Sequence, residues 1–167
     1  TVFSLSVLSY IAQSDEVLEL APIDSTDILD ELLGQKSDAI IKYAKQFMGV
    51  PYVWGGMSPS GFDCSGFINY VFRGFGFSLT RTSYGLAELG TTVSLKELQP
   101  GDLMFFKARN LNSKQVGHVA LVVDTSDGVI KFIHAARTGI RIDKFNNHSY
   151  YVSRQKVLAT KMDCGDP

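Results

Sequence analysis

Residues 51–75 read Pro51-Tyr52-Val53-Trp54-Gly55-Gly56-Met57-Ser58-Pro59-Ser60-Gly61-Phe62-Asp63-Cys64-Ser65-Gly66-Phe67-Ile68-Asn69-Tyr70-Val71-Phe72-Arg73-Gly74-Phe75. The first eleven are turn chemistry, with three glycines and two prolines. From there apolar residues recur at helical spacing, and Phe67, Ile68, Val71, Phe72 and Phe75 share one face. Cys64 falls where the loop passes into this helix. Its neighbours Asp63, Ser65 and Gly66 are small or polar, whereas a cysteine that merely packs has apolar company.

Outward toward the N-terminus lies a second helical pattern. Ala39, Ile40, Ile41, Ala44, Phe47 and Met48 recur at helical spacing, with Ser37 as N-cap and Gly49 then Pro51 as the stop. Lys36, Lys42 and Lys45 read as its solvated face. Residues 13–36 are acidic and mixed; Ser25-Thr26-Asp27 could cap a short helix ending at Gly34, but a surface lead-in is the preferred reading. Thr1–Ala12 is apolar, too short to span a bilayer and without a basic start. It reads equally as the remnant of a leader or as a segment packed on the domain.

Toward the C-terminus the period changes. Asp102–Lys107, His118–Val123, Val129–His134, Gly139–Asp143 and Val157–Met162 read as strands bounded by Gly, Asp, Asn and Ser. Helices first and antiparallel strands after argue an α+β fold with segregated layers. The expected division is a lead-in over residues 1–36 and one catalytic domain over 37–167. With 45% apolar residues, 167 residues suffice for one real core. The charges, 16 basic against 17 acidic, give a net −1 and no basic run, which argues against nucleic acid as a partner.

A thiol at a helix N-terminus feels the positive end of the macrodipole, which favours the nucleophilic thiolate. The only other cysteine, Cys164, is 100 residues away, and a disulfide with it would consume the nucleophile. A thiol nucleophile needs a base, and the chain has three histidines. His118 opens one strand and His134 closes the next; Ser126 in the connecting turn lies eight residues from each. In a regular hairpin they face each other, with Cβ atoms roughly 4.5–5.5 Å apart, giving a base and a group to orient it. A β-bulge would upset that register. His148 sits in a polar loop and reads as solvated. Nothing completes a zinc site around the histidines, so no metal or other cofactor is expected. Trp54, Phe62 and Phe67 read as core.

The blocks Tyr52-Val53-Trp54-Gly55-Gly56, Gly61-Phe62-Asp63-Cys64-Ser65-Gly66-Phe67, Arg81-Thr82-Ser83, Gly101-Asp102-Leu103, Gly117-His118-Val119-Ala120 and Phe132-Ile133-His134-Ala135 follow one another in order. Over roughly residues 37–163 the chain thereby resembles the NlpC/P60 family, bacterial cell-wall cysteine peptidases with a papain-like core. The resemblance implies Cys64 as nucleophile, His118 as base and His134 as the residue that orients it. It implies a stem peptide of peptidoglycan as substrate, cut between D-γ-glutamate and the diamino acid. Tyr52, Asp63, Ser65, Arg81 and Ser83 would bind substrate; Asp63 and Ser65 read otherwise as helix caps, and Tyr52 as core. Members that require a free N-terminal L-alanine carry an acidic residue where this chain has Thr82, which favours intact murein or larger fragments here. The expectation is an exported monomer of the periplasm or cell envelope with no integral membrane segment in this chain. An amidase or acyltransferase with the same Cys-His pair, and a silent peptidoglycan-binding domain, are the alternatives.

Overall fold

The computed structural model describes residues 25–107, 115–145 and 159–161. Expectations for residues 1–24, His148 and Cys164 lie outside the described residues. Spatial clustering divides the chain into two units, Thr1–Leu32 and Leu33–Pro167. In chain order the elements are α1 (Ser25–Lys45), β1 (Met57–Ser58), β2 (Gly61–Phe62), α2 (Cys64–Arg73), α3 (Ser83–Leu86), β3 (Thr91–Val93), β4 (Leu103–Lys107), β5 (Val116–Asp124), β6 (Lys131–Ala136), β7 (Gly139–Lys144) and β8 (Ala159–Lys161). No helix among the described residues is long and apolar enough to cross a membrane.

Strands β3-β8-β4-β5-β6-β7 form one six-stranded sheet in that order, every neighbouring pair antiparallel. The fold is α+β, helices against an antiparallel sheet, as the segregated pattern indicated. Both faces of the sheet are covered, which explains the unbroken apolar runs in β4 and β5. On one face Leu103, Phe105, Val119, Leu121, Ile133 and Ala135 meet Phe67, Ile68, Val71 and Phe72 of α2 and Ile40, Ile41 and Ala44 of α1. On the other, Met104, Phe106, Ala120, Val122 and Phe132 pack with Leu98. Each fully buried Phe or Ile contributes roughly 1.5–3 kcal/mol by leaving water.

Five local readings are corrected. Neither the stop at Gly34 nor the cap at Ser37 occurs, and part of the acidic lead-in is helical: α1 runs unbroken through both. A helix-interior glycine costs about 1 kcal/mol, and Gly34 is flanked by the strong helix formers Glu31, Leu32, Leu33, Gln35 and Lys36. Ser37 instead turns its side chain toward Gly101. Lys42 and Lys45 are solvated, but Lys36 is half-buried with its ammonium 4.8 Å from the centre of the Phe77 ring.

Trp54 is not core. Phe62 and Phe67 are fully buried, whereas Trp54 is 88% exposed. Gly56 N donates to Val53 O at 2.9 Å and Gly55 has φ +75°, the geometry of a type II turn with Trp54 at its solvent corner. The glycine-rich motif fixes a backbone reversal, and the indole is carried outside by it.

Candidate active site

The loop and the first turn of α2 are locked by one carboxylate. Asp63 is the N-cap, accepting from Gly66 N at 2.7 Å. Its other oxygen accepts from Gly55 N at 3.0 Å, and its own N–H donates to Gly56 O at 3.0 Å. A Cβ on Gly66 would overlap the Gly56 carbonyl oxygen, so the close approach of loop and helix requires glycine there. Phe47, Phe62, Phe67 and Tyr70 interlock edge-on or tilted behind this turn. Cys64, half-buried, is thereby fixed as the first residue of α2.

Arg81 grips Asp63 with both terminal nitrogens, Nη1 to Oδ1 at 3.1 Å and Nη2 to Oδ2, while Nη1 also donates to Ser65 Oγ at 2.8 Å. Asp63, Ser65 and Arg81, assigned to substrate from the sequence, thus form one network and satisfy one another. Thr82 caps α3, accepting from Gly85 N at 3.2 Å. Ser83 opens α3, and among the described residues its hydroxyl is not bonded to Asp63, Ser65 or Cys64.

Burial and then the charge of Asp63 push the Cys64 thiol above its usual range; the N–H groups of Ser65, Val119 and Cys64 itself oppose that rise. The helix start therefore stabilises the thiolate, as expected, but does not by itself outweigh burial. Val119 is the residue after His118 in β5, so its N–H sets the sulfur against that strand. Tyr52 bridges Phe62 through a parallel backbone pairing. Its phenol is raised by burial first and then by the Cys64 and Asp63 charges, which keeps it a hydrogen-bond donor near the sulfur.

His118 and His134 share a site, but not in mirror register. Leu121 lies opposite Ile133 and Val122 opposite Phe132, with a register shift between Val122 and Asp124. Extended along the strands, that pairing is two residues off the mirror, which keeps both histidines on one face as diagonal neighbours. The rings close the gap: His118 Nε2 lies 2.8 Å from His134 Nδ1, with the planes at 79°. His134 is buried, and burial holds its pKa below the usual imidazole value against the opposing pull of Asp143. His134 Nε2 lies 3.0 Å from Asp143 Oδ2, an oxygen that also accepts from Arg141 Nε at 3.1 Å and Nη2 at 2.7 Å.

Asp143 and Arg141 were not singled out in the sequence. The signal was present: the two-residue turn Arg137-Thr138 sets His134 opposite Arg141, which places Asp143 diagonally beside it on the same face. Chemically, the arrangement offers a thiol, two imidazoles in hydrogen-bond contact and a carboxylate behind them, which is the equipment for acyl transfer through a thioester.

The NlpC/P60 family profile matches residues 49–160. The chain belongs to the NlpC/P60 family. It is 38% identical over 107 residues to the gamma-D-glutamyl-L-lysine dipeptidyl-peptidase of Bacillus subtilis (strain 168), a match covering 64% of this chain and 34% of that protein. A crystal structure of an NlpC/P60 family protein from Bacillus cereus ATCC 10987 superposes with a TM-score of 0.65 at 31% identity, over 75% of this chain and 39% of that one. The NlpC/p60 domain of the peptidoglycan hydrolase SagA gives 0.60 at 29% identity, over 75% of this chain and 98% of the other. The chain spans about a third of the length of the Bacillus subtilis protein.

Proposed function

We propose that the domain is a cysteine peptidase of the cell envelope that hydrolyses peptidoglycan stem peptides between D-γ-glutamate and the diamino acid. The observation that supports this reading is the His118–His134 contact of 2.8 Å, in a chain whose α2 opens on Cys64 with the Val119 N–H of β5 on its sulfur. The names of the Bacillus subtilis relative and of the SagA domain support the substrate class.

His118 Nε2 is engaged by His134, which leaves Nδ1 to take the proton from Sγ as the sulfur attacks the carbonyl carbon. N–H groups at the start of α2 and the protonated Tyr52 hydroxyl are donors for the developing oxyanion. Collapse of the tetrahedral intermediate passes the proton from His118 Nδ1 to the leaving amine. Water, deprotonated by the same nitrogen, then hydrolyses the thioester and frees the thiol.

The carboxylate of Asp63 is taken up by Arg81 and two backbone N–H groups, and residue 82 is a capping Thr. Neither supplies an unpaired negative charge for a free α-ammonium. This supports action on stems still attached to glycan. Purified sacculi and free tripeptide are to be digested side by side and the products weighed. The expected result is cleavage of sacculi at γ-D-glutamyl–diamino acid bonds, abolished by Cys64→Ala. Turnover of the tripeptide alone would sink the substrate preference, cuts at other bonds would favour the amidase reading, and unaltered lysis by Cys64→Ala would sink the thiol mechanism.

A further inference from the structure

Among the described residues, the titratable groups facing His134 are His118 from β5 and Asp143 and Arg141 from β7. A carboxylate accepts hydrogen bonds and does not donate them, and a neutral imidazole carries one N–H. With Asp143 Oδ2 3.0 Å from Nε2, the His134 proton belongs on Nε2, so Nδ1 is the acceptor. The contact at 2.8 Å then requires His118 to donate from Nε2, and His118 Nδ1 is left with the lone pair. Were the His134 proton on Nδ1 instead, it would point at His118 Nε2. His118 would then carry its own proton on Nδ1 and could not accept one from the sulfur. One oxygen on β7 thereby decides which nitrogen of a histidine two strands away is basic.

We propose that Asp143 is a positioning residue for the reaction, fixing the His134 tautomer and through it the basic nitrogen of His118, with Arg141 holding the carboxylate in place. The inference rests on the assignment of Cys64, His118 and His134 to catalysis made above. It extends the set to a fourth member that acts through His134. No proton passes along the chain: when His118 Nδ1 takes the thiol proton, its Nε2–H goes on donating to a neutral His134.

The test begins on the ring nitrogens of the ¹⁵N-labelled full chain at pH 7. Long-range ¹H–¹⁵N correlations should show His134 protonated at Nε2 and not at Nδ1; the reverse would overturn the proposal without any variant. Asp143→Ala should shift His134 toward the Nδ1–H tautomer. On sacculi it should lower kcat about 10–100-fold, the cost typical of removing a carboxylate that orients a functional imidazole, with KM unchanged. Asp143→Asn, whose amide oxygen can still accept, should keep more of kcat than the Ala variant. An Asp143→Ala protein with native circular dichroism and either the wild-type tautomer or the wild-type kcat would refute the inference. If that variant does not fold, the wild-type tautomer and the Asn variant decide. If the wild-type chain cuts no stem peptide, the proposed function fails, whereas the tautomer measurements still decide the role of Asp143.

Discussion

Asp63 does more than one job, and each can be separated by substitution. Its charge raises the thiol of the adjacent Cys64, and the Arg81 fork compensates that charge. Asp63→Asn removes the negative charge while keeping an oxygen for the cap, so alkylation of Cys64 by iodoacetamide at pH 7 should quicken. Arg81→Gln leaves the carboxylate uncompensated and should slow it. At the few ångströms between these groups and an intermediate dielectric, a change of about three- to tenfold in each direction is expected. Equal rates in both variants would show that Asp63 does not bear on the sulfur. Loss of the cap itself, in Asp63→Ala, should lower stability by about 1–2 kcal/mol in urea unfolding.

Among the elements, α2 and α1 place glycines under opposite constraints. Gly66 lies in the first turn of α2 against the Gly56 carbonyl, and a methyl group there has no room. Gly66→Ala should destabilise by about 1–3 kcal/mol, as overpacking does, and displace Cys64 enough to depress activity beyond the loss of folded protein. Gly34 is exposed in the middle of α1, with open space where a Cβ would sit. Gly34→Ala should stabilise by about 0.4–1 kcal/mol, read as a higher denaturation midpoint with activity unchanged. If Gly34→Ala destabilises instead, α1 is not continuous there. The bulge in β5–β6 is the third device at this scale, since its one-residue shift leaves the pairing an even number of residues off the mirror and so keeps His118 and His134 on one face.

For the molecule as a whole, two groups with opposite shifts, one buried and one half-buried, bound a pH window. The folded pKa of His134 is below its ordinary 6.5, so the unfolded chain binds that proton more readily. Stability is therefore lost as pH falls below about 6.5, and the loss levels off beneath the lowered folded value. The folded pKa of Cys64 is above its ordinary 9.0, so the folded chain holds that proton more tightly; stability is lost as pH rises above about 9 toward the raised folded value. The apparent Tm should be highest between about pH 6.5 and 9 and fall on both sides. Cys64→Ala should flatten the alkaline limb and leave the acidic limb in place. An alkaline limb unchanged by Cys64→Ala would show that its thiol is not the group responsible.

What the sequence determined by itself was whatever depends on neighbours along the chain. Period 3.6 around Phe67–Phe72 gave the helix that starts at Cys64, and the apolar runs of β4 and β5 gave a sheet; together they imposed the α+β class. The capping chemistry of Asp63 and the turn at Gly55 were also local. The side of the chain on which Trp54 would lie was not, because apolar character speaks for burial and only the direction of the turn sends the indole outward. The offset that makes His118 and His134 diagonal was decided by the pairing at the turn together with a bulge that no residue type announces. Asp143, the closure of Asp63 by Arg81 eighteen residues on, and the balance of burial against helix N–H groups at Cys64 appear only once separate elements meet. Hydrogen-bond direction and desolvation are set by what surrounds a group in space, and tertiary packing alone supplies those surroundings.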